Sequence, residues 1–296
     1  MRVVAVADAI PGLQGYALRL DLVYTVFVEV DQTKDVDGMI FRIRFAKYGV
    51  VKFIGHLDAM RYFQKAVRRS ELPIRYSQGF NPHQLMVFAQ PLGVGVTSDG
   101  EYMDIETEDV DFAGNQLNAD RVSAILGGAL TEGFEIVSIR QIPWQDGTKH
   151  PENAMSLVSG ADYALSLKDG YSLENGNVAY YKDKLGSFLE QETIVVNKKS
   201  KSGERDMDIK PYIYEAEIGD NSEIPSFMDD KGLVHADVYE PGIRFFFRLS
   251  AGSVVNIKPE LVMEAFLAYC GENFDELKFQ VHRAQMYSDV EKAIGL

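Results

Sequence analysis

The chain has 296 residues, 46% of them hydrophobic and 25% charged, with a formal net charge of −14 and one cysteine. That supplies enough apolar material for one large domain or two of ordinary size, and it excludes a disordered chain. The lone Cys270 excludes an internal disulfide framework and any Cys-rich metal cluster built from this chain alone, which suits a reducing cytoplasm.

No stretch has the ~18 uninterrupted apolar residues of a membrane span. Near the start, apolar runs are broken by Asp8, Arg19, Asp21 and Glu29, and Arg2 alone does not make the basic region of a secretory signal. Residues 22–30 (LVYTVFVEV) read as a strand, and polar DQTKDVDG follows. Two readings of 1–38 stand: an upstream extension, with translation starting at Met39, or an added edge strand. The first is adopted.

From Met39 the periodicities are clear. Residues 40–46 alternate, with Arg42 and Arg44 on one face and apolar side chains on the other, the pattern of a half-buried strand. Leu57, Met60, Phe63 and Val67 then recur at helical spacing, with Arg61, Lys65, Arg68 and Arg69 between them. Asp58 suits the first turn, and Leu72-Pro73 ends the helix. Strands follow over 84–90 and 101–107, a helix over 116–130, and a strand over 134–142. A boundary falls near 143–160, where Pro143, Gly147 and Pro151 cluster.

The second half repeats the plan loosely. A strand is expected over 161–167, a weak helix over 176–190, and a strand over 193–197. An insertion over 198–211 precedes a strand over 243–250, a helix over 259–269 and a last strand over 277–286. The order βαββαβ occurs twice, so the expected fold is α+β with two tandem ferredoxin-like domains, 39–145 and 155–290, after the extension 1–38.

Charge singles out one block. Residues 42–82 hold nine Arg or Lys against Asp58 and Glu71, so +7 sits in a chain of −14. The cations of the helix, Arg61, Lys65, Arg68 and Arg69, are not interleaved with Glu at i,i+4 spacing. A solvated face and a phosphate-binding face are the two readings. The loop Tyr76-Ser77-Gln78-Gly79-Phe80-Asn81-Pro82-His83 concentrates residues that fix backbone shape, stack and hydrogen-bond. It reads either as recognition of a base or as a turn whose Phe80 fills the core. Lys198, Lys199 and Lys201, near a Gly-containing hairpin tip, add a second basic run that can grip phosphate or simply be solvated. The substrate-binding candidates are therefore Arg42, Arg44, His56, Arg61, Lys65, Arg68, Arg69, Tyr76, Gly79, Phe80, Asn81, His83, Lys198, Lys199 and Lys201.

His56 opens the basic helix and His83 closes the loop, and they are the acid–base pair the pattern suggests, although lone histidines are commonly structural. His150, His235 and His282 are scattered without metal-ligand spacing, so no metal site is expected. Gly93, Gly95 and Gly100 do not make a nucleotide fingerprint.

The stretch KYGVVKFIGHLDAMRYFQKAVRRSELPIRYSQGFNPHQLMVFAQPLGVGVTSDGEYMDIE closely resembles the start of the radical SAM-linked proteins, a bacterial family built on a domain of unknown function. The family's helix start, Ser followed by His-Leu-Asp-x-Met-Arg, here begins with Gly55 in place of Ser and runs on through His56, Leu57, Asp58, Met60 and Arg61. Its loop, Tyr-Ser-x-Gly-Phe-Asn-Pro-His-Pro, ends here in Gln84 where Pro is common. The resemblance continues weakly to about residue 286. It implies a radical SAM partner that carries S-adenosylmethionine, a 4Fe-4S cluster and, in many cases, cobalamin. The one cysteine here cannot hold such a cluster.

Three functions are expected to compete. The first is a non-catalytic accessory in the cytoplasm, binding no cofactor of its own, that holds a tRNA or rRNA and docks the radical SAM enzyme. The second is an RNA-cutting enzyme similar in plan to the CRISPR repeat-processing endoribonucleases, with His56 and His83 as acid and base. The third is a pure protein-interaction module. No DNA or membrane partner is expected.

Overall fold

Alternation along the first predicted strand sets the layering of the molecule. The computed structural model describes residues 38–144, 148–200 and 203–296. The segment 1–37, which carries the strand expected over 22–30 and on which the start-site reading turns, lies outside the described residues. Strand β1 is Met39–Lys47, and its Phe41, Ile43 and Phe45 enter a core with Phe63, Met103, Ile105, Leu126 and Phe134. Helix α1 (His56–Ser70) and helix α2 (Ala119–Gly127) close that core from one side, α1 through Ala59, Phe63, Ala66 and Val67. Phe45, Phe63 and Phe134 pack ring to ring with centroids 4.7–6.5 Å apart.

The strands of this half are β1, β2 (Met86–Phe88), β3 (Thr97–Thr107) and β4 (Phe134–Ile142), hydrogen-bonded in the order β4-β1-β3-β2. Short helix α3 (Ala154–Leu157) leads into the second half. There, β5 (Gly160–Leu167), α4 (Val178–Leu189), β8 (Ile213–Gly219), β9 (Arg244–Ser250), α5 (Pro259–Tyr269) and β10 (Phe279–Asp289) follow one another, with the strands in the order β10-β5-β9-β8. Tyr181, Phe188, Phe245, Phe247, Phe266 and Phe279 fill its core. A parallel pairing of β3 with β10, His282 opposite Thr97 and Arg283 opposite Ser98, fuses the halves into one mixed sheet. With β2 on β3 and β11 (Ile294–Gly295) on β10, that sheet has nine strands, and five α-helices lie among the described residues.

Two expectations change. The strand read over 193–197 is not the second strand of the second half. Among the described residues, strands β6 (Val195–Ser200) and β7 (Gly203–Asp208) pair only with each other, and β8 takes the place in the main sheet. Glu215 and Glu217 break the apolar pattern of β8, which a strand on the sheet edge tolerates. Strand β3 begins at Thr97 rather than at 101, because pairing with β10 recruits a polar stretch. Gly100 permits it: a Cβ there would lie 2.5 Å from the Gln285 backbone.

The face of β1 expected to be open and basic is covered. Arg42 and Arg44 are 2% and 6% exposed. On the helix-free face of the second half, Phe227, Met228 and Leu233, from the long connection between β8 and β9, pack on Ala164, Phe246 and Ala284. The same connection supplies Asp229 to Arg44 and His235 to Asp99. No helix among the described residues is long and apolar enough to cross a membrane.

Candidate functional site

Helix α1 forms because four buried residues repeat on one side while its cations face water. Gly55 is its N-cap without a side-chain bond, Asp58 lies in the first turn, and Arg68 and Arg69 lie in the last, each on the end the helix dipole favours. Glu71 takes the left-handed conformation that stops the helix before Pro73. Arg61, Lys65, Arg68 and Arg69 are all exposed. Arg61 meets Asp58 at 2.9 Å, and Arg69 donates to the Ala129 carbonyl at 3.0 Å beside the Tyr62 ring. Lys65 and Arg68 form no ion pair among the described residues. Leu57, expected in the apolar stripe, is 65% exposed. It shares this end of the molecule with Phe53, also exposed.

The loop after α1 is a pinned hairpin. Tyr76 and Gln84 pair across its base. The Ser77 amide donates to the His83 carbonyl at 2.9 Å, the His83 amide donates to Ser77 Oγ at 3.1 Å, and Ser77 Oγ lies 2.7 Å from His83 Nδ1. Gly79 has φ of +119°, a conformation side chains resist, so it makes the turn possible. Phe80 does not fill the core: it projects wholly into solvent at the tip, flanked by exposed Asn81 and Pro82. Tyr76, Arg68 and Gln84 line one cleft together with Phe112, which joins the loop to the basic helix.

The remaining candidates separate from this surface. Arg42 Nε and Nη2 hold both Asp104 oxygens at 2.7 and 2.8 Å, and Nη2 also reaches the Glu152 carbonyl. Arg44 donates to the carbonyls of Asp99 and Ala284 at 2.8 and 3.1 Å. Both are committed inside the protein, in contrast to the open face expected of them. His56 packs edge-on against Phe88 at 5.7 Å. Burial pushes its imidazole below the usual histidine range; Glu101 opposes that shift, and Arg283 and Lys47 add to it. Among the described residues no hydrogen bond or ring contact joins His56 to His83: His56 packs on Phe88, and His83 is held by Ser77. The backbone sets Lys198 and Lys199 on β6 opposite Arg205 and Glu204, and Lys201 lies outside the described residues.

The fold also assembles groups that looked scattered. His150 Nε2 lies 3.1 Å from Glu106 Oε1, and both line a cavity of about 210 Å³ beneath the loop, with His83 and Gln84. His235 Nδ1 lies 2.5 Å from one Asp99 oxygen and His282 Nε2 3.3 Å from the other, while Tyr48 stacks on His235 at 3.8 Å. Burial alone would raise the Asp99 pKa, but the hydrogen bonds from His282 and His235 hold it below the usual carboxylate range. Among the described residues no group of His, Cys, Asp and Glu is arranged to hold a metal ion. Sequence spacing could not reveal these contacts, which join positions 44 and 136 residues apart.

A search of curated proteins found no match to this chain. A sequence model of the bacterial family described as "uncharacterized protein conserved in bacteria" (DUF2344) matches residues 41–259, and the chain belongs to that family.

Proposed function

We propose that the chain is a non-catalytic, RNA-binding accessory. It presents a tRNA or rRNA to a radical SAM partner, which it docks in the cytoplasm. The radical SAM link rests on the motif resemblance of His56–Arg61 and Tyr76–His83, and the partner would carry the S-adenosylmethionine, 4Fe-4S and cobalamin chemistry. The observation that carries the RNA reading is Phe80, a fully exposed aromatic at the tip of a pinned loop whose base lines one cleft with Arg68 of α1. Exposed aromatics stack on unstacked bases while cations track the phosphates. Burying no apolar surface, Phe80 does nothing for the folded state that a polar residue would not.

The two halves are read as two ferredoxin-like domains, 39–145 and 155–290. Their strand orders β4-β1-β3-β2 and β10-β5-β9-β8 support this, each running fourth, first, third, second within its own half. The β6–β7 hairpin is then an insertion in the second domain. Fold alone does not specify an RNA partner, so the RNA reading rests on the surface.

The test is binding of single-stranded RNA oligonucleotides to the full chain over a range of salt. Replacing Lys65→Glu and Arg68→Glu together is expected to weaken binding at least about tenfold and to flatten the salt slope by roughly 0.7 for each phosphate no longer neutralised. No binding at low salt, or binding indifferent to the double reversal, overturns the proposal. Co-purification of a radical SAM protein with the chain after nuclease treatment tests the docking half separately.

A further inference from the structure

The cavity beneath the loop has walls and polar groups that suit one chemical class of ligand. Ile40 and Ile142 are among its apolar walls, and Gln84, Glu106, His83 and His150 are among its polar groups, beside Asp104, whose two oxygens are already held by Arg42. Its volume of about 210 Å³ suits a single ring system rather than the drug-sized ligands of ~300–1,000 Å³ pockets. Gln84 is 4% exposed, its Nε2 donates to the Gln64 carbonyl, and its Oε1 is buried without a partner among the described residues. A buried acceptor left unpaired costs free energy that an incoming N–H recovers. Glu106 adds a carboxylate that takes His150 at one oxygen and retains further acceptor capacity. The adjoining cleft shares Glu106 and His150 and is lined by Arg75 and Trp144, whose Nη1 and Nε1 are buried donors without partners among the described residues. Acceptors therefore sit beside unused donors.

We propose that this cavity takes a guanine base of the bound RNA, with Glu106 and Gln84 accepting its adjacent N1–H and N2–H groups. The Watson–Crick edge of guanine presents two neighbouring donors and then the O6 acceptor, which match in kind the Glu106 and Gln84 acceptors of the cavity and the Arg75 and Trp144 donors of the adjoining cleft. Adenine offers only one amino group on that edge, so it leaves one acceptor unmet. A guanidinium also carries paired donors, but Arg75 beside the cleft opposes a second cation. The inference rests on the RNA-accessory reading, since it names the nucleotide that the accessory would select. His83, fixed by Ser77, connects the exposed Phe80 tip to the cavity. One base can stack outside while its neighbour enters.

The experiment is calorimetric or NMR titration of the full chain with guanosine, inosine, adenosine and agmatine. Guanosine is expected to bind. Inosine, which lacks the N2 amino group, should bind about tenfold more weakly or worse, and adenosine more weakly still. Glu106→Gln should cost both guanosine and a guanosine-containing oligonucleotide at least about tenfold, while an oligonucleotide of adenosine alone is weakened far less. Should that variant fail to fold, Gln84→Leu, which removes the unpaired oxygen together with the 3.4 Å bond to the Gln64 carbonyl, should lower the thermal midpoint only slightly and still weaken guanosine. Equal binding of guanosine and adenosine, no nucleoside binding, or agmatine outcompeting guanosine overturns the proposal. An adenosine oligonucleotide that binds in the absence of any guanosine site leaves the accessory reading standing. Guanosine binding without oligonucleotide binding removes that reading and keeps the base site.

Discussion

Replacing Arg42 with Met separates a structural from a ligand-binding role for the cations of β1. Arg42 and Asp104 have side chains 2% and 8% exposed and meet through two bonds of 2.7 and 2.8 Å. They are cross-strand partners in register on β1 and β3. Removing the guanidinium leaves a buried carboxylate whose described partner is the Ala154 amide at 2.7 Å. Breaking a buried pair from one side costs roughly 3–5 kcal/mol. For a unit of this size that is a fall of about 6–20 °C in thermal midpoint. The carboxylate, not the missing arginine, causes most of that cost, so Arg42→Met with Asp104→Asn should recover part of it. The amide still accepts from Ala154, which Asp104→Leu would orphan. Urea unfolding of the four proteins in a double-mutant cycle should give a coupling of roughly 1–3 kcal/mol. RNA affinity of the folded Arg42→Met protein should equal that of the parent. A single variant within about 1 kcal/mol of the parent, or one that binds RNA more weakly while equally stable, refutes the reasoning.

Phe80→Ala should leave the thermal midpoint within about 2 °C, since an exposed side chain holds nothing in place, yet weaken RNA by roughly tenfold, the worth of one stacked base; a lower midpoint with unchanged affinity would count against the loop. Asp99→Asn should destabilise the protein at neutral pH. Because the folded-state pKa of Asp99 is depressed, the stabilisation is present above its unfolded value of ~3.9 and is lost as pH falls through the lower folded value. The gap between parent and variant should therefore close below pH about 4, and urea midpoints that keep a constant gap through that range would contradict it.

Elements with strong local periodicity were legible, and those made by distant contacts were not. Strand β4 and helix α5 fall on the predicted 134–142 and 259–269, because a Gly133 turn precedes the one and Pro259 opens the other. Strand β8 was missed because its Glu215 and Glu217 sit on an edge, where one polar face is tolerated. The pairing of β3 with β10 leaves no local mark either: Thr97 meets His282 across 185 residues. In the site, the shape of the loop was readable from Gly79 and Pro82, and the exposure of Phe80 was not, since the same sequence serves a filled core. His150 looked isolated until the fold brought it to Glu106.

The error over Arg42 and Arg44 has a signal that sequence reasoning could have used. A strand with alternating arginines needs either water or acids opposite them, and the next long strand carries Asp99, Glu101, Asp104 and Glu106. Opposite charges on neighbouring strands predict internal pairing before they predict a ligand. Applying that rule removes Arg42 and Arg44 from the basic island. Lys47 follows, because its Nζ donates to the Ile54 carbonyl, and so does Lys52, which meets Asp237 at 2.8 Å. Arg61, Lys65, Arg68, Arg69 and Arg75 remain of the nine cations. The first four lie on α1, and Arg75 leads into the loop. The anomaly in charge thus shrinks to a surface beside Phe80. Charge reversal on α1 should change RNA binding without unfolding the protein, and loss of charge on β1 should do the opposite.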